Sequence, residues 1–316
     1  MASTRGLGSV SLVVAALVLG LAGRAGCSGF ASSDIDFLGR GGGWGLVARQ
    51  GDVDNIFWNA SGLGRSEASG GSAFATYLDY HAGVKGGAVG YLGHGRPSWS
   101  WGCFVSYLSS GEMALTSWED PTGGLGASFS YSDVVGGAAF GVRAIPAVLL
   151  GAAVKAARQT MDGVSESTVL GDLSATAALW EGAGGEGYAC IVGRNWVLGA
   201  SETDLGEESG SVEAGLGLKF PTGLTSVGCS MVFDRAGGRE ARFGVAGLLS
   251  EEFEARLGYR RGVGAQSDAS YGFAWHRGLT AGFSVSFGRL WMDYAYENAD
   301  PLGGVHRIGL RSLGSR

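Results

Sequence analysis

The sequence has little charge, little proline and no long apolar run beyond its N-terminal region. Charged residues make up 16% of the 316 positions and proline occurs five times, whereas an average soluble domain is ~25% charged. Lysine and arginine form no cluster and the net charge is −6, so we expect no nucleic-acid partner, because such proteins carry a basic face. After the N-terminal region no stretch reaches the ~18 consecutive apolar residues of a membrane-spanning helix.

Residue types that commonly carry catalysis or hold metals are also scarce. The four histidines and four cysteines are scattered and form neither HExxH nor CxxC, two patterns typical of metal and redox sites. No Gly-x-Ser-x-Gly motif stands where a strand would turn into a helix. The sequence therefore predicts no enzyme activity, no metal and no cofactor, and we interpret the cysteines as small apolar residues on strands.

Glycine is abundant instead, with 60 residues, and aromatic residues make up 10% of the chain. Glycine shows no three-residue period, which excludes collagen, and the aromatic share argues against disorder. Many small residues, interspersed aromatics and low charge favour a sheet with one face towards lipid.

The first 25 residues have the three parts of a secretory signal. Arg5 precedes an apolar run from Leu7 to Ala22, and small residues follow. We predict cleavage after Ala25, hence an exported protein. Attachment of lipid at Cys27 remains an open alternative.

Apolar and polar residues alternate along most of the chain after residue 72. In the run Ser211–Phe220, Val212 and Leu216 share one face and Glu213 and Lys219 the other, a separation that a strand produces and a helix does not. Runs of about ten residues recur roughly fourteen times, the length expected of tilted strands that cross a bilayer. The sequence predicts an all-β fold, a transmembrane antiparallel β-barrel of about 14 strands in the bacterial outer membrane.

The predicted organisation is a signal peptide at 1–25, an N-terminal plug segment at 26–71 and an outer-membrane β-barrel at 72–316. A soluble β-sandwich also alternates and is the alternative fold. Glycine- and serine-rich polar faces, with aromatic residues near the strand ends, favour the barrel, because membrane barrels carry aromatic girdles. The run from Leu125 to Tyr131 is interpreted in the same way, with its aromatic side chains on the lipid-facing side.

Turn signals separate the predicted strands. They are Asp162-Gly163, Pro221-Thr222-Gly223, Ala236-Gly237-Gly238 and Asp300-Pro301. Three longer connections, Ser109–Gly124, Ser201–Gly210 and Gly262–Gly278, are candidate extracellular loops.

Charged residues on the polar faces should project into the barrel interior, or lumen, where a charge needs a partner. The candidates are Glu213, Lys219, Arg242, Glu254, Arg256, Arg260, Arg289, Asp293, Glu297, Arg307 and Arg311. They form either a paired network that fills the barrel and anchors the plug, or a path that selects a solute. A charge-lined lumen suits a polar route better than an apolar one.

The segment from Phe37 to Gly64 resembles the N-terminal signature of the PorV/PorQ family of outer-membrane proteins, which belongs with the FadL-like barrels. That signature has a glycine-rich start, an acidic stretch and an aromatic-Asn-Pro-Ala-Gly-Leu motif. The matching residues are Gly41, Gly42, Gly43, Asp52, Asp54, Trp58, Asn59, Gly62 and Leu63. Ala60 and Ser61 replace the usual Pro-Ala.

The C-terminal part, from Leu290 to Leu313, is similar to the closing hairpin of the same family. The matches are Asp293, Tyr294, Ala295, Leu302, Gly303, His306 and Arg307. The resemblance implies about fourteen strands with an N-terminal segment inside the lumen.

For function, the resemblance implies a secretion accessory of the type IX kind, with secretion-system components as partners, or a carrier across the outer membrane. A FadL-like channel for a hydrophobic ligand is the alternative. An outer-membrane enzyme would need a catalytic constellation that the residues do not form. Outer-membrane lipid is the expected surroundings in each case.

Overall fold

The computed structural model describes residues 51, 53–65, 71–80, 83–96, 98–114, 118, 126, 128–198, 210–221, 224–234, 239–263, 278–298 and 303–312. The predicted signal peptide, Cys27, and the glycines at 41–43 lie outside this part of the chain. Two short helices precede the strands: α1, Asn55–Trp58, and a 3-10 helix, Ala60–Arg65. No helix within the described ranges is long and apolar enough to cross a membrane.

Fourteen strands follow. They are β1 Ser72–Asp79, β2 Lys85–Arg96, β3 Trp99–Ala114, β4 Ser128–Ile145, β5 Val148–Met161, β6 Val164–Gly182, β7 Gly185–Val197, β8 Ser211–Lys219, β9 Leu224–Asp234, β10 Arg239–Ser250, β11 Phe253–Gly262, β12 Leu279–Phe287, β13 Leu290–Asn298 and β14 Gly304–Ser312.

The strands form one closed antiparallel barrel. Each strand pairs with its neighbours in sequence, and β1 closes the sheet against β14, with Phe74 opposite Arg311. Closure leaves no sheet edge, so the backbone groups of every strand can bond within the wall, as a lipid environment requires. The predicted fourteen-stranded barrel is confirmed, and the sandwich alternative is wrong.

The two ends of the barrel differ in the length of their connections. At one end, the short-turn end, two-residue turns such as 146–147, 251–252 and 288–289 join the strands. At the other, the loop end, the three connections 115–127, 198–210 and 263–278 are longer. Membrane barrels carry short turns on their periplasmic side and long loops outside the cell.

The predicted turn at Asp162-Gly163 is confirmed between β5 and β6. Its two residues have φ of 48° and 81°, the left-handed conformations that a tight hairpin requires and that an Asp-Gly pair supplies. The predicted loop Ser109–Gly124 starts too early, because β3 continues to Ala114 and pairs with β4 over that length. The turns at 236–238 and 300–301 lie outside the described residues.

Side chains along the strands alternate between a buried and an exposed face. The two N-terminal helices pack on the buried face only: the Ile56 side chain lies against Gly102, and Leu63 lies against Gly141. In a closed barrel this face is therefore the inner one. The exposed face carries many large apolar residues, among them Val89, Val105, Val154, Leu216, Leu257 and Ile308, as expected of a lipid-facing wall.

On β4 the predicted facing is wrong for Tyr131. This residue packs against the buried core and shares its face with Asp133 and Val135, which are 0% and 1% exposed. The lipid-facing residue between them is Val134. Tyr131, Val135 and Ala139 of β4 point inwards because the inner wall of this half contributes to an apolar core that includes the N-terminal segment.

Candidate functional site

The N-terminal segment, Val53–Arg65, lies inside the barrel on the inner faces of β3 to β6. Polar contacts hold its 3-10 helix to β6. The Asn59 amide donates to the Thr176 hydroxyl at 3.1 Å, and the Ser61 backbone N–H donates to Ser174 Oγ at 2.8 Å. The Ser61 hydroxyl also donates to the Asn59 side-chain oxygen at 2.6 Å, so these polar groups are satisfied where water is excluded.

Glycines in the wall let the segment approach closely. A Cβ at Gly151 would lie 2.1 Å from the Ser61 backbone nitrogen, and one at Gly141 would lie 2.3 Å from the Ala60 carbonyl oxygen. Backbone therefore packs directly on backbone, a contact that no residue with a side chain permits.

Arg65 ties the end of the segment to the β6–β7 hairpin near the short-turn end. Its guanidinium lies 2.7 Å from the Glu181 carboxylate and 3.1 Å from that of Glu186, and it also donates to the Tyr188 hydroxyl. These contacts fix both ends of the 3-10 helix to the same wall.

The inner wall from β1 to β6 is largely apolar. Together with the N-terminal segment and Val305 of β14 it forms the main hydrophobic core of the barrel. Its members are Val53, Ile56, Phe57, Ala60, Leu63, Phe74, Leu78, Ala88, Leu92, Phe104, Leu108, Val135, Ala139, Ala153, Ala157, Leu170 and Val305. The Phe57 ring contacts the rings of Phe74 and Phe104 at centroid distances of 5.7 and 4.4 Å, so an aromatic cluster joins segment to wall.

The inner wall from β7 to β14 carries a chain of alternating charges. Arg194 lies 3.0 Å from Glu213, which lies 3.4 Å from Arg242. Arg242 and Arg260 both reach Glu240. Arg260 and Arg307 then share Glu297, with the Arg307 contact at 2.7 Å, so the charges run unbroken from β7 to β14.

A second charged group centres on Asp293. Its carboxylate accepts from Arg311 Nε at 2.9 Å, from the Ser284 hydroxyl and, at 3.5 Å, from Arg256. Arg256 also lies 3.9 Å from Glu254. Asp293 is 1% exposed and Arg256 2%, and these contacts offset the cost of desolvating both charges.

Trp58 connects the N-terminal segment to the charged wall. The Arg194 guanidinium lies 4.8 Å from the centre of its ring and that of Arg242 lies 6.0 Å away. Both are within reach of a cation–π contact, and both arginines also pair with Glu213.

Nine of the eleven predicted lumen charges lie on the inner wall within these ion pairs. The other two do not: Lys219 is exposed at the last position of β8, and Arg289 is exposed in the turn between β12 and β13. Strand alternation alone predicted that both side chains face the lumen. However, a residue at the rim meets water, and a turn residue does not follow the strand period.

Several inner charges were missed by the sequence interpretation. Lys155 lies 2.6 Å from the Asp172 carboxylate and donates to Asn195 Oδ1 at 2.9 Å. Lys155 stands at an inward position of an otherwise apolar strand, and this isolated lysine was the sequence feature that could have indicated a buried charge. No sequence feature indicated that Arg194 and Asn195 are both buried. The register of β6 and β7 shifts between Gly171 and Leu173, so these two consecutive residues of β7 both face inwards.

Residues of the N-terminal signature that the structure describes lie in or beside the two helices. Asp54 precedes α1, Trp58 ends it and Asn59 follows it, while Gly62 and Leu63 lie in the 3-10 helix. A Cβ at Gly62 would lie 2.5 Å from the Asn55 amide nitrogen. Gly41, Gly42, Gly43 and Asp52 lie outside the described residues.

Across the described ranges, no three histidine, cysteine or acidic residues are placed to hold a metal ion. Cys103, Cys190 and Cys229 are free thiols on separate strands.

Solved structures share this architecture. The toluene transporter TodX of Pseudomonas putida matches with a TM-score of 0.57 and 11% identity, over 87% of this chain and 96% of that chain. The monoaromatic hydrocarbon channel CymD matches with 0.58 and 11%, over 84% and 94%. A FadL homologue of Pseudomonas aeruginosa matches with 0.53 and 11%, over 92% and 100%. The barrel has the FadL-like fold.

TodX is thus a toluene transporter and CymD a monoaromatic hydrocarbon channel. At 11% identity the likeness establishes the fold alone. No protein-family model matches the chain, and no curated protein matches its sequence. The resemblance to the PorV/PorQ family therefore stays a prediction.

Proposed function

We propose that this protein is an outer-membrane channel for small hydrophobic molecules. The observation that carries the proposal is the division of the inner wall: most of the main hydrophobic core lies on β1 to β6, whereas the charges of β7 to β14 are bound to one another. Paired charges offer little to a polar solute, and an apolar wall offers a route for an apolar one. The sequence favoured a polar route lined by charges. We propose instead an apolar route along β1 to β6, beside the paired charges of β7 to β14.

The fold supports this role, because the hydrocarbon channels TodX and CymD have the same architecture. In this proposal, residues 26–71 act as a plug, and the contacts of residues 53–65 with the inner wall support that assignment. The charged network anchors the plug through Trp58. Outer-membrane lipid surrounds the barrel, and residues 1–25 direct export.

Uptake of radiolabelled toluene tests the proposal in a host that lacks its own hydrocarbon channels. Expression should raise uptake above that of an empty-vector strain. Val135→Thr places a hydroxyl on the apolar inner wall, and burying a hydroxyl costs about 0.5–2 kcal/mol on octanol scales. We therefore expect uptake to fall by roughly two- to thirtyfold.

Val134→Thr is the matched control, because Val134 lies on the same strand with its side chain 40% exposed on the outer face. Heat-modifiable gel mobility of separated outer membranes establishes that each variant is a folded barrel in that membrane. Wild-type protein that folds there but gives no uptake above the empty vector would exclude the channel function.

A second candidate is an accessory role in type IX-like protein secretion, with secretion-system components as partners. The N-terminal and C-terminal signatures of the PorV/PorQ family favour it. Deletion of the gene in its own host, followed by quantification of extracellular proteins, tests this role. Loss of exported proteins that the wild-type gene restores would support it, whereas an unchanged exported set would leave the channel function alone.

A further inference from the structure

Glu166 is a buried carboxylate on the inner face of β6. It is 5% exposed, and its Oε2 has no hydrogen-bond partner. In the part of the chain that the structure describes, no basic side chain pairs with it. Other inner carboxylates differ: Asp172, Glu213 and Glu297 each lie within 3.0 Å of a lysine or arginine.

The strand register sets Glu166 in a row of oxygen-bearing side chains. Glu166 lies opposite Gln159 of β5, which lies opposite Asp133 of β4, and facing residues of paired strands are about 5 Å apart at Cα. Thr168, the next inward residue on β6, is 7% exposed, and its hydroxyl has no hydrogen-bond partner. We name Asp133, Gln159, Glu166 and Thr168 the acidic row.

The acidic row borders the apolar wall. Val135 and Ala157 are the next inward residues on β4 and β5, and both belong to the main hydrophobic core. Leu108 of β3 lies opposite Asp133, and the Tyr131 hydroxyl donates to the Asp133 carboxylate at 3.5 Å. A negative, oxygen-rich patch therefore lies at the edge of an apolar surface.

We propose that the acidic row binds the protonated amine of a small amphiphilic molecule whose apolar tail lies on the wall of β1 to β6. This rests on the proposed channel function and specifies one class of substrate for it. An ammonium group has three donors and no acceptor, so it can bond the Glu166 carboxylate and the Thr168 hydroxyl together. A charge-assisted bond of this kind is about twice as strong as a neutral one.

Calorimetry on the full-length barrel in detergent tests this with n-hexylammonium and 1-hexanol, which share a tail and differ in charge. Empty micelles give the background of each probe. We expect n-hexylammonium to bind wild-type protein at least about tenfold more tightly than 1-hexanol, a difference of ~1.4 kcal/mol. Glu166→Gln keeps the size of the side chain and removes its charge, and it should bring the two affinities close together.

Glu254→Gln is the matched control, because Glu254 is also 5% exposed but lies beside Arg256. It should keep the preference for n-hexylammonium. The wild-type comparison needs no variant, so the test stands even if Glu166→Gln fails to fold. Equal affinities in the wild type, or a preference that survives Glu166→Gln, would overturn the proposal, as would binding of calcium chloride without binding of n-hexylammonium.

Failure of this inference is distinct from failure of the channel function. If toluene is taken up but the amine is not preferred, the acidic row is not a binding site, and the channel function still holds. Amine preference without toluene uptake removes the general hydrophobic channel, and the acidic row then stands as a binding site on its own.

Discussion

A methyl group at Gly151 should release the N-terminal segment while the barrel stays closed. In Gly151→Ala the new Cβ would lie 2.1 Å from the Ser61 backbone nitrogen, whereas ordinary contacts begin at 3.4 Å. The segment must therefore move by about 1.3 Å, since the opposing atoms are backbone and cannot rotate away. This movement breaks or stretches the bonds from Asn59 and Ser61 to Thr176 and Ser174.

The expected loss follows from these contacts. Each buried hydrogen bond contributes about 0.5–1.5 kcal/mol, and overpacking costs about 1–3 kcal/mol. We expect docking of the segment to weaken by about 2–4 kcal/mol, so amide exchange of residues 53–65 should accelerate roughly 30- to 700-fold. Hydrogen–deuterium exchange with mass spectrometry measures this, and strand peptides should keep their protection.

Gly182→Ala is the control, because a Cβ there meets nothing within 4 Å. It should leave the exchange of residues 53–65 unchanged. Equal exchange of this segment in Gly151→Ala and wild type would refute the backbone-on-backbone contact between the 3-10 helix and β5.

Three further predictions concern the inner wall. Lys155→Met removes one partner of a buried ion pair and should lower the free energy of unfolding by about 3–5 kcal/mol, as measured by urea titration of the barrel in vesicles. Adding Asp172→Leu should restore much of the lost stability. An unchanged stability of the single variant would contradict the pairing. Cys190 is buried and should react with N-ethylmaleimide only after unfolding, as mass mapping will show, so labelling of the folded barrel would place this thiol elsewhere. Arg65→Gln removes partly exposed ion pairs with Glu181 and Glu186 and should lower the free energy of unfolding by at most about 2 kcal/mol, about 1 kcal/mol for each pair. A loss as large as that of Lys155→Met would show that Arg65 is better shielded from solvent.

The period of two was enough to predict the barrel, because each strand must separate a lipid-facing side from an inner one. It succeeds on β8, where Glu213 is 1% exposed and Leu216 52%. It does not by itself say which side faces inwards. On β4 an apolar inner surface packs in the core beside the N-terminal segment, and the aromatic residue Tyr131 consequently faces the interior.

The pairing of inner charges was less accessible from sequence. Lys155 and Asp172 are on neighbouring strands, so their contact depends on the register, which the pattern of either strand does not encode. The shift beside Asp172 inserts one residue into β7, and the left-handed Asn195, with φ of 57°, breaks the alternation there. A two-residue period therefore misassigns whatever follows such a bulge.

The pairing of β1 with β14 also determines when the wall can form. Every other contact between strands joins neighbours in sequence, so hairpins can assemble as soon as their residues are available. The seam between Phe74 and Arg311 is different, because it requires both ends of the strand order at once. A chain that stops before Gly304 would leave β1 and β13 as open edges, which lipid cannot satisfy and which invite pairing with other chains. Because the nine-residue strand β14 is needed to close the barrel, insertion of a chain that lacks it is unfavourable. The order of strands therefore favours insertion of the full-length protein.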